Sequence, residues 1–342
     1  VLRKDFFSLL SLIYNSATKV SLTLRPPTEG TVPAYAASLP VLKEFVTHVS
    51  SLTTCATLFD EHGKTIAEDV RMFAKDVCEA SRSLALVLST FLSAPKTKEE
   101  QEEDKEYLVR TGAVHETIER IRKELPEDNL AAVRERWRVD KGMLEDTLED
   151  VNGIVEDAED GGDEEDEDED EGFGSDEDED GLAELGFTSK KLSKVEAERV
   201  KKIQPLIRIC VLMHKRVLLD LLKPTNASSP TTLDSLPPLS HELLIATEEV
   251  VAVLYAPQNP TAMSSALAVL DNTVRKVQTT LSDKALLPAP LSLEDKLANT
   301  SISGEGGKNE KDLRKWFETC FEQIHRLYNS VKEGLDSERN AT

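Results

Sequence analysis

The chain has 342 residues, of which 39% are hydrophobic and only 5% aromatic, and its formal net charge is −23. The 48 residues between Lys141 and Lys190 hold 23 of the 64 acidic side chains and no basic one, so the other 41 acids equal the 41 basic residues. The lack of a basic footprint argues against direct nucleic-acid binding. No apolar run reaches the roughly 18 residues needed to span a membrane.

Apolar residues recur three or four positions apart along most of the chain, the spacing of one helix face. The low aromatic content also suits helices better than strands. We therefore predict an all-α fold of about nine helices, forming two antiparallel helical bundles separated by a disordered acidic insert. In chain order, the predicted helices begin near residues 2, 39, 64, 98, 130, 193, 239, 260 and 313.

Prolines mark several of the predicted breaks between these helices. Pro26-Pro27 ends the first helix, because proline cannot continue one, and Pro260 begins the eighth, in a first turn that tolerates it. Pro205 lies inside the sixth helix and predicts a kink or a late start. A linker rich in Pro, Ser and Thr is predicted from Pro224 to Pro238.

The charge pattern suggests where the chain divides into domains. We predict an N-terminal helical bundle at 1–155, an acidic disordered linker at 156–187 and a C-terminal helical bundle at 188–342. Chains of this length commonly divide their hydrophobic cores.

The acidic insert contains two runs of consecutive carboxylates, whose mutual repulsion and lack of apolar residues oppose packing. One interpretation is a solvating linker; the other is an interaction tract that captures a basic protein. The candidate tract residues are Asp163, Glu164, Glu165, Asp166, Glu167, Asp168, Glu169, Asp170, Glu171, Asp176, Glu177, Asp178, Glu179 and Asp180.

Ser175 lies between the two acidic runs and directly precedes Asp176-Glu177-Asp178. A kinase with a basic pocket reads carboxylates downstream of its acceptor. Ser175 is therefore a candidate phosphorylation site, the alternative being part of a flexible spacer.

The sequence offers little to support catalysis or metal binding. The four cysteines lie far apart in helical apolar patterns, which favours small buried residues in a reduced, intracellular protein. The six histidines show no zinc-ligand spacing. No P-loop, G-x-S-x-G or dinucleotide fingerprint is present. We predict a protein that is not an enzyme and needs no cofactor or metal.

Several phrases resemble the cyclin-D-binding protein family, helix–loop–helix-like proteins without a basic region. They are Thr18-Lys19-Val20-Ser21-Leu22, Leu125-Pro126-Glu127-Asp128-Asn129, Gly172-Phe173 in the acidic loop, Leu206 to Lys215, and Leu236-Pro237-Pro238 to Tyr255-Ala256-Pro257. The resemblance covers most of the chain but includes no catalytic motif. This acidic tract is longer and purer than the resemblance leads us to expect.

The resemblance implies a helical adaptor of cytoplasm and nucleus that restrains the cell cycle through cyclins or transcription regulators. A helix–loop–helix protein without a basic region sequesters partners but does not hold DNA. Two alternatives remain at this point. One is a histone-chaperone-like binder of basic proteins, and the other is a vinculin- or catenin-like cytoskeletal bundle. Membrane partners are not expected.

Overall fold

The structure, a computed structural model, describes residues 1–24, 35–93, 106–160, 192–224, 229–288 and 305–341. Every regular element in these ranges is helical, which confirms the predicted all-α fold. The helices are α1 (Leu2–Thr23), α2 (Tyr35–Thr57), α3 (Lys64–Ser93), α4 (Glu106–Glu124), α5 (Asn129–Asp160), α6 (Lys194–Arg216), α7 (Pro230–Leu233), α8 (Leu236–Ala252), α9 (Pro260–Asp283) and α10 (Glu305–Ala341). Across these ranges, no helix combines the length and apolar character needed to cross a membrane.

The chain forms two compact units. Unit 1 contains Val1–Val133 and Ser229–Asp234, and unit 2 contains Arg134–Ser228 and Ser235–Thr342. These units differ from the predicted spans, because the division falls inside α5 and because a short later segment joins unit 1. Whether the spans 1–155 and 188–342 fold independently stays a prediction, and most of 156–187 lies outside the described residues.

Unit 1 is built from four long helices, in which α1 packs against α2 and α4, and α3 packs against the same two helices. Their inward faces carry apolar side chains at helical spacing, as the periodicity predicts. The largest fully buried ones are Phe6, Leu10, Ile13, Leu52, Leu84, Ile118 and Ile121. Burying a side chain of this size contributes about 1.5–3 kcal/mol, so these residues supply much of the stability of unit 1.

The segment Ser229–Asp234, here called the clip, is held in unit 1 at the first turn of α3. The Asp234 carboxylate accepts hydrogen bonds from the backbone amides of Lys64 (2.8 Å) and Thr65 (3.0 Å) and from the Thr65 hydroxyl (2.8 Å). Asn129 donates to the same carboxylate from Nδ2 (3.0 Å) and accepts from the Ile66 amide through Oδ1 (3.0 Å). The clip and Asn129 together satisfy amides that the start of a helix leaves without partners.

In unit 2, α10 packs against α6 and α9, and α8 packs against α9. The start of α6 is fixed by a capping box, in which Ser193 and Glu196 bond to each other's backbone amides. Glu196 also accepts from the Gln258 amide (2.7 Å), and Arg199 pairs with Glu338 (2.7 Å). Helix α6 therefore begins at Lys194, so the late start that Pro205 suggested is not found.

The predicted linker from Pro224 to Pro238 is partly wrong. Pro230 begins the single turn α7, and Pro237 and Pro238 lie in the first turn of α8. Proline is accepted there, because first-turn amides have no partner inside the helix. Proline in this segment therefore marks helix starts rather than the absence of helix.

Candidate functional site

Both functional features predicted in the acidic insert lie outside the described residues. Ser175 and the tract from Asp163 to Asp180 therefore stay predictions. Helix α6, which follows the insert, contributes Lys201, whose ammonium lies 3.1 Å from the carboxylate of Glu159 in α5.

No metal-binding cluster of His, Cys, Asp or Glu occurs in the part of the chain that the structure describes. Cys55, Cys210 and Cys320 are buried, and Cys78 is half-buried. Burial raises the pKa of Cys320 to about 12 and also raises that of Cys210, so both stay as unreactive thiols at neutral pH. These cysteines behave as packing residues, in line with their apolar helical patterns.

A polar group lies in the core of unit 2, where α5, α6 and α8 contribute one residue each. Ser240 donates from Oγ to Asp140 Oδ2 (2.5 Å), and His214 Nε2 lies 2.8 Å from the same Oγ. Because the only hydroxyl proton goes to the carboxylate, His214 must donate from Nε2, which leaves Nδ1 unprotonated. Nδ1 has no hydrogen-bond partner among the residues that the structure describes.

Trp137 completes the surroundings of this histidine. The Trp137 and His214 rings stack with centroids 4.5 Å apart, and Trp137 Nε1 donates to the His214 carbonyl (3.0 Å). Burial, together with the positive charge of Lys141, lowers the pKa of His214 to about 3, so the ring is neutral at physiological pH.

This group contains the side chains of a hydrolase triad in an arrangement that cannot act as one. The serine hydroxyl donates to the carboxylate, whereas a nucleophilic serine gives its proton to histidine. His214 and Ser240 are also fully buried, which leaves no access for a substrate. The arrangement instead fixes how α5, α6 and α8 pack, since Ser240 links Asp140 of α5 to His214 of α6 through two hydrogen bonds.

An apolar stripe on the outer side of α2 is the candidate interaction surface, here called the α2 stripe. It consists of Leu39, Leu42, Val46 and Val49, whose spacing of three, four and three positions puts them on one helix face. Leu39 and Val46 are 54% and 61% exposed, while Leu42 and Val49 are half-buried and rest on the core of unit 1. Leu42 and Val49 therefore form the base of the stripe, against the core, and Leu39 and Val46 form its solvent-exposed crest.

The setting of the α2 stripe distinguishes it from other outward apolar residues. Met72 and Leu86 on α3 are similarly exposed but lie fourteen positions apart. Single exposed apolar side chains are normal on protein surfaces, whereas contiguous ones mark interaction sites. Exposed polar residues, Lys43, Thr47 and Ser50, flank the stripe. An apolar centre with a polar rim is the usual pattern of a protein interface.

Sequence reasoning recognised α2 but did not single out its stripe. The spacing signal was present, yet the buried residues Phe45 and Leu52 repeat at the same periods on the neighbouring face. Only the packing shows which of the two faces is covered.

Comparison with protein-family models gives two matches. The N-terminal and C-terminal models described as "Grap2 and cyclin-D-interacting" match residues 5–157 and 163–279 respectively. The chain belongs to this Grap2 and cyclin-D-interacting family. The two matched spans together cover most of the residues, which confirms the resemblance seen in the sequence. A search of curated proteins found no match.

Membership in the Grap2 and cyclin-D-interacting family agrees with the chemistry of the described residues. The family is one of protein-interaction proteins rather than of known enzymes. The constellation most like an active site serves packing, and the exposed feature of α2 has the character of an interface. The family match and the geometry therefore favour an exposed surface over a catalytic pocket as the functional site.

Proposed function

We propose that the protein is a non-enzymatic adaptor that binds D-type cyclins or helix–loop–helix-type regulators and thereby restrains cell-cycle progression or transcription. The name of its family supports D-type cyclins as partners, whereas helix–loop–helix-type regulators rest on the resemblance seen in the sequence. The α2 stripe supports the location of the binding surface, because Leu39 and Val46 present apolar side chains to solvent on a folded bundle. We place the protein in both cytoplasm and nucleus, where such partners act.

The α2 stripe suits a helical partner. Cyclin-type and helix–loop–helix-type proteins are helical, and helices pack by inserting ridges of side chains into grooves. Residues at positions i, i+3, i+7 and i+10 lie on one helix face, which is the pattern of helix-in-groove recognition. Because Leu42 and Val49 rest on the core of unit 1, this face is already ordered before binding. An ordered surface loses less conformational entropy when it associates.

Charge substitution on the crest of the α2 stripe tests this proposal. We expect Val46→Asp to weaken binding of a purified D-type cyclin by about tenfold or more, since burying an unpaired carboxylate at an interface opposes association. Val46 is exposed in the unbound protein, so the thermal unfolding temperature should change little. Surface plasmon resonance with the full chain gives the affinity.

Leu86→Asp on α3 is the matched control, because Leu86 is 56% exposed and lies outside the stripe. It should bind the cyclin as the unmodified chain does. Equal affinities for Val46→Asp, Leu86→Asp and the unmodified chain would exclude the stripe as the docking surface. Loss of binding in both variants would point to a general charge effect and would also contradict the assignment.

A further inference from the structure

The clip contains a dipeptide that occurs once in the chain. Of the 15 prolines in the full sequence, Pro230 alone follows a serine or threonine, namely Ser229. Ser–Pro is the minimal acceptor sequence of proline-directed protein kinases. Proline has no amide hydrogen, so it leaves no donor unpaired in a kinase pocket that offers no acceptor beside the phosphorylated residue.

Ser229 is presented to solvent at the start of the clip. Its side chain is exposed and its backbone is extended, with φ −65° and ψ 148°. Ser229 Oγ accepts a hydrogen bond from the Thr232 amide (3.2 Å) and lies 2.9 Å from the Thr232 hydroxyl. The hydroxyl is therefore accessible, although it is engaged in the single turn of α7.

The residues downstream of Ser229 are held more firmly. Leu233 is buried, and Asp234 bonds to the first turn of α3 and to Asn129. Burial raises the pKa of Asp234, but hydrogen bonds from the Lys64 and Thr65 amides outweigh this effect and the pKa lies below its ordinary value. The carboxylate is therefore ionised at neutral pH and keeps the clip closed.

We propose that Ser229 is the phosphate acceptor of a proline-directed kinase, and that the clip controls how fast it is modified. In this step the Ser229 Oγ–Pγ bond forms, the bond from Pγ to the oxygen bridging to the β-phosphate of Mg-ATP breaks, and ADP leaves. The hydroxyl proton passes to the catalytic base of the kinase. This site goes beyond adaptor binding and does not depend on the α2 stripe.

The clip slows the modification of Ser229 because kinases bind the residues around their acceptor in an extended conformation. The turn Pro230–Leu233 must unwind to fit, which removes Leu233 from the core and draws Asp234 away from α3. Local opening of this kind limits access when the closed form predominates. The residue three positions after the acceptor is Thr232 and not a basic residue, so the kinase class expected is one that requires only the proline.

The test is phosphorylation of the full chain by a purified mitogen-activated-type kinase with Mg-ATP, followed by intact-mass and peptide mass spectrometry. We expect one phosphate, on Ser229. Ser229→Ala should remove it, and Pro230→Ala should slow it by about tenfold while leaving the hydroxyl in place. Phosphate on another residue, or none on the unmodified chain, would overturn the site.

The effect of the clip on the phosphorylation rate is tested with Asp234→Asn and Asp234→Ala. Asp128→Asn is the matched control. Asp128 also accepts an amide at a helix start in unit 1, from Ala131 (2.8 Å), but does not hold the clip. We expect both Asp234 variants to raise the initial rate by about fivefold or more, and Asp128→Asn to leave it unchanged. Hydrogen exchange at the Lys64 and Thr65 amides measures opening independently. If hydrogen exchange shows that the clip opens but the phosphorylation rate does not rise, the clip does not regulate modification of Ser229.

Discussion

His214 shows how burial determines the charge of a single residue. Its ring is fully buried, stacks on Trp137 and donates to Ser240, so protonating Nδ1 would place an unpaired charge in the core. The native state therefore holds a neutral histidine with a pKa near 3, whereas the unfolded chain has the ordinary value of about 6.5.

This difference predicts an acid-dependent loss of stability. Between pH 6.5 and 3 the unfolded state binds a proton at His214 that the folded state does not, so the free energy of unfolding falls as pH falls. The slope from this residue approaches about 1.4 kcal/mol per pH unit, and the full contribution is present above pH 6.5. Urea unfolding at pH 7, 6 and 5 measures it.

The variant His214→Phe preserves the ring stacking but cannot titrate, so its stability should depend less on pH over this interval. His62→Gln serves as the control, because it removes an exposed histidine of unit 1 and leaves the buried group in place. A His214→Phe protein with the slope of the unmodified chain would show that the buried ring is not the source.

At the scale of elements, Gly63 determines how α3 begins. Its φ of +133° is a conformation that L side chains rarely adopt, and a Cβ there would lie 2.1 Å from the Asn129 side chain. Asn129 cannot move away without losing its bonds to Ile66 and Asp234. The turn before α3 therefore requires glycine for both conformation and space.

Alanine substitution at two glycines of unit 1 should have opposite effects. We expect Gly63→Ala to lower the free energy of unfolding by about 1–3 kcal/mol, through backbone strain and displacement of Asn129. Gly112 lies exposed inside α4 with open space around it, so Gly112→Ala should raise stability by about 0.5–1 kcal/mol. Chemical unfolding of both variants measures these changes. A Gly63→Ala variant with an unchanged free energy of unfolding would contradict the steric argument.

Helix positions were largely predictable from the sequence, while the contacts at helix ends were only partly so. The capping residues of α6 and α9, Ser193 and Asn259, stand beside the segments they cap and can be read locally. Asp234 caps α3 from 170 positions away, and no local pattern reveals such a partner. Asp140, Ser240 and His214 were likewise invisible as a group, since they converge only through packing.

At the scale of the whole molecule, the net charge of −23 comes from one segment, and the rest of the sequence is balanced. We propose that the acidic tract speeds the encounter with basic surfaces of a partner, because long-range attraction changes association rates more than the contacts of the bound complex. The support for this proposal is the sequence, where the tract contains two unbroken runs of carboxylates.

Replacing residues 163–180 by a Gly/Ser segment of equal length tests this idea while keeping the chain length. We expect the association rate with a D-type cyclin to fall at low salt and to depend less on ionic strength, with a similar dissociation rate. Stopped-flow measurements at several salt concentrations suffice. If the replaced chain instead loses binding to histones and keeps its cyclin kinetics, the histone-chaperone-like alternative is favoured.

The clip also has a consequence for protein synthesis. Residues 1–133 emerge from the ribosome well before Asp234. The four long helices of unit 1 are therefore synthesised about a hundred residues ahead of the carboxylate that caps α3. During that interval the Lys64 and Thr65 amides must bond to water or to another acceptor. Unit 1 therefore has its full set of contacts only after Asp234 is synthesised, and truncated products ending before the clip lack its hydrogen bonds to the first turn of α3.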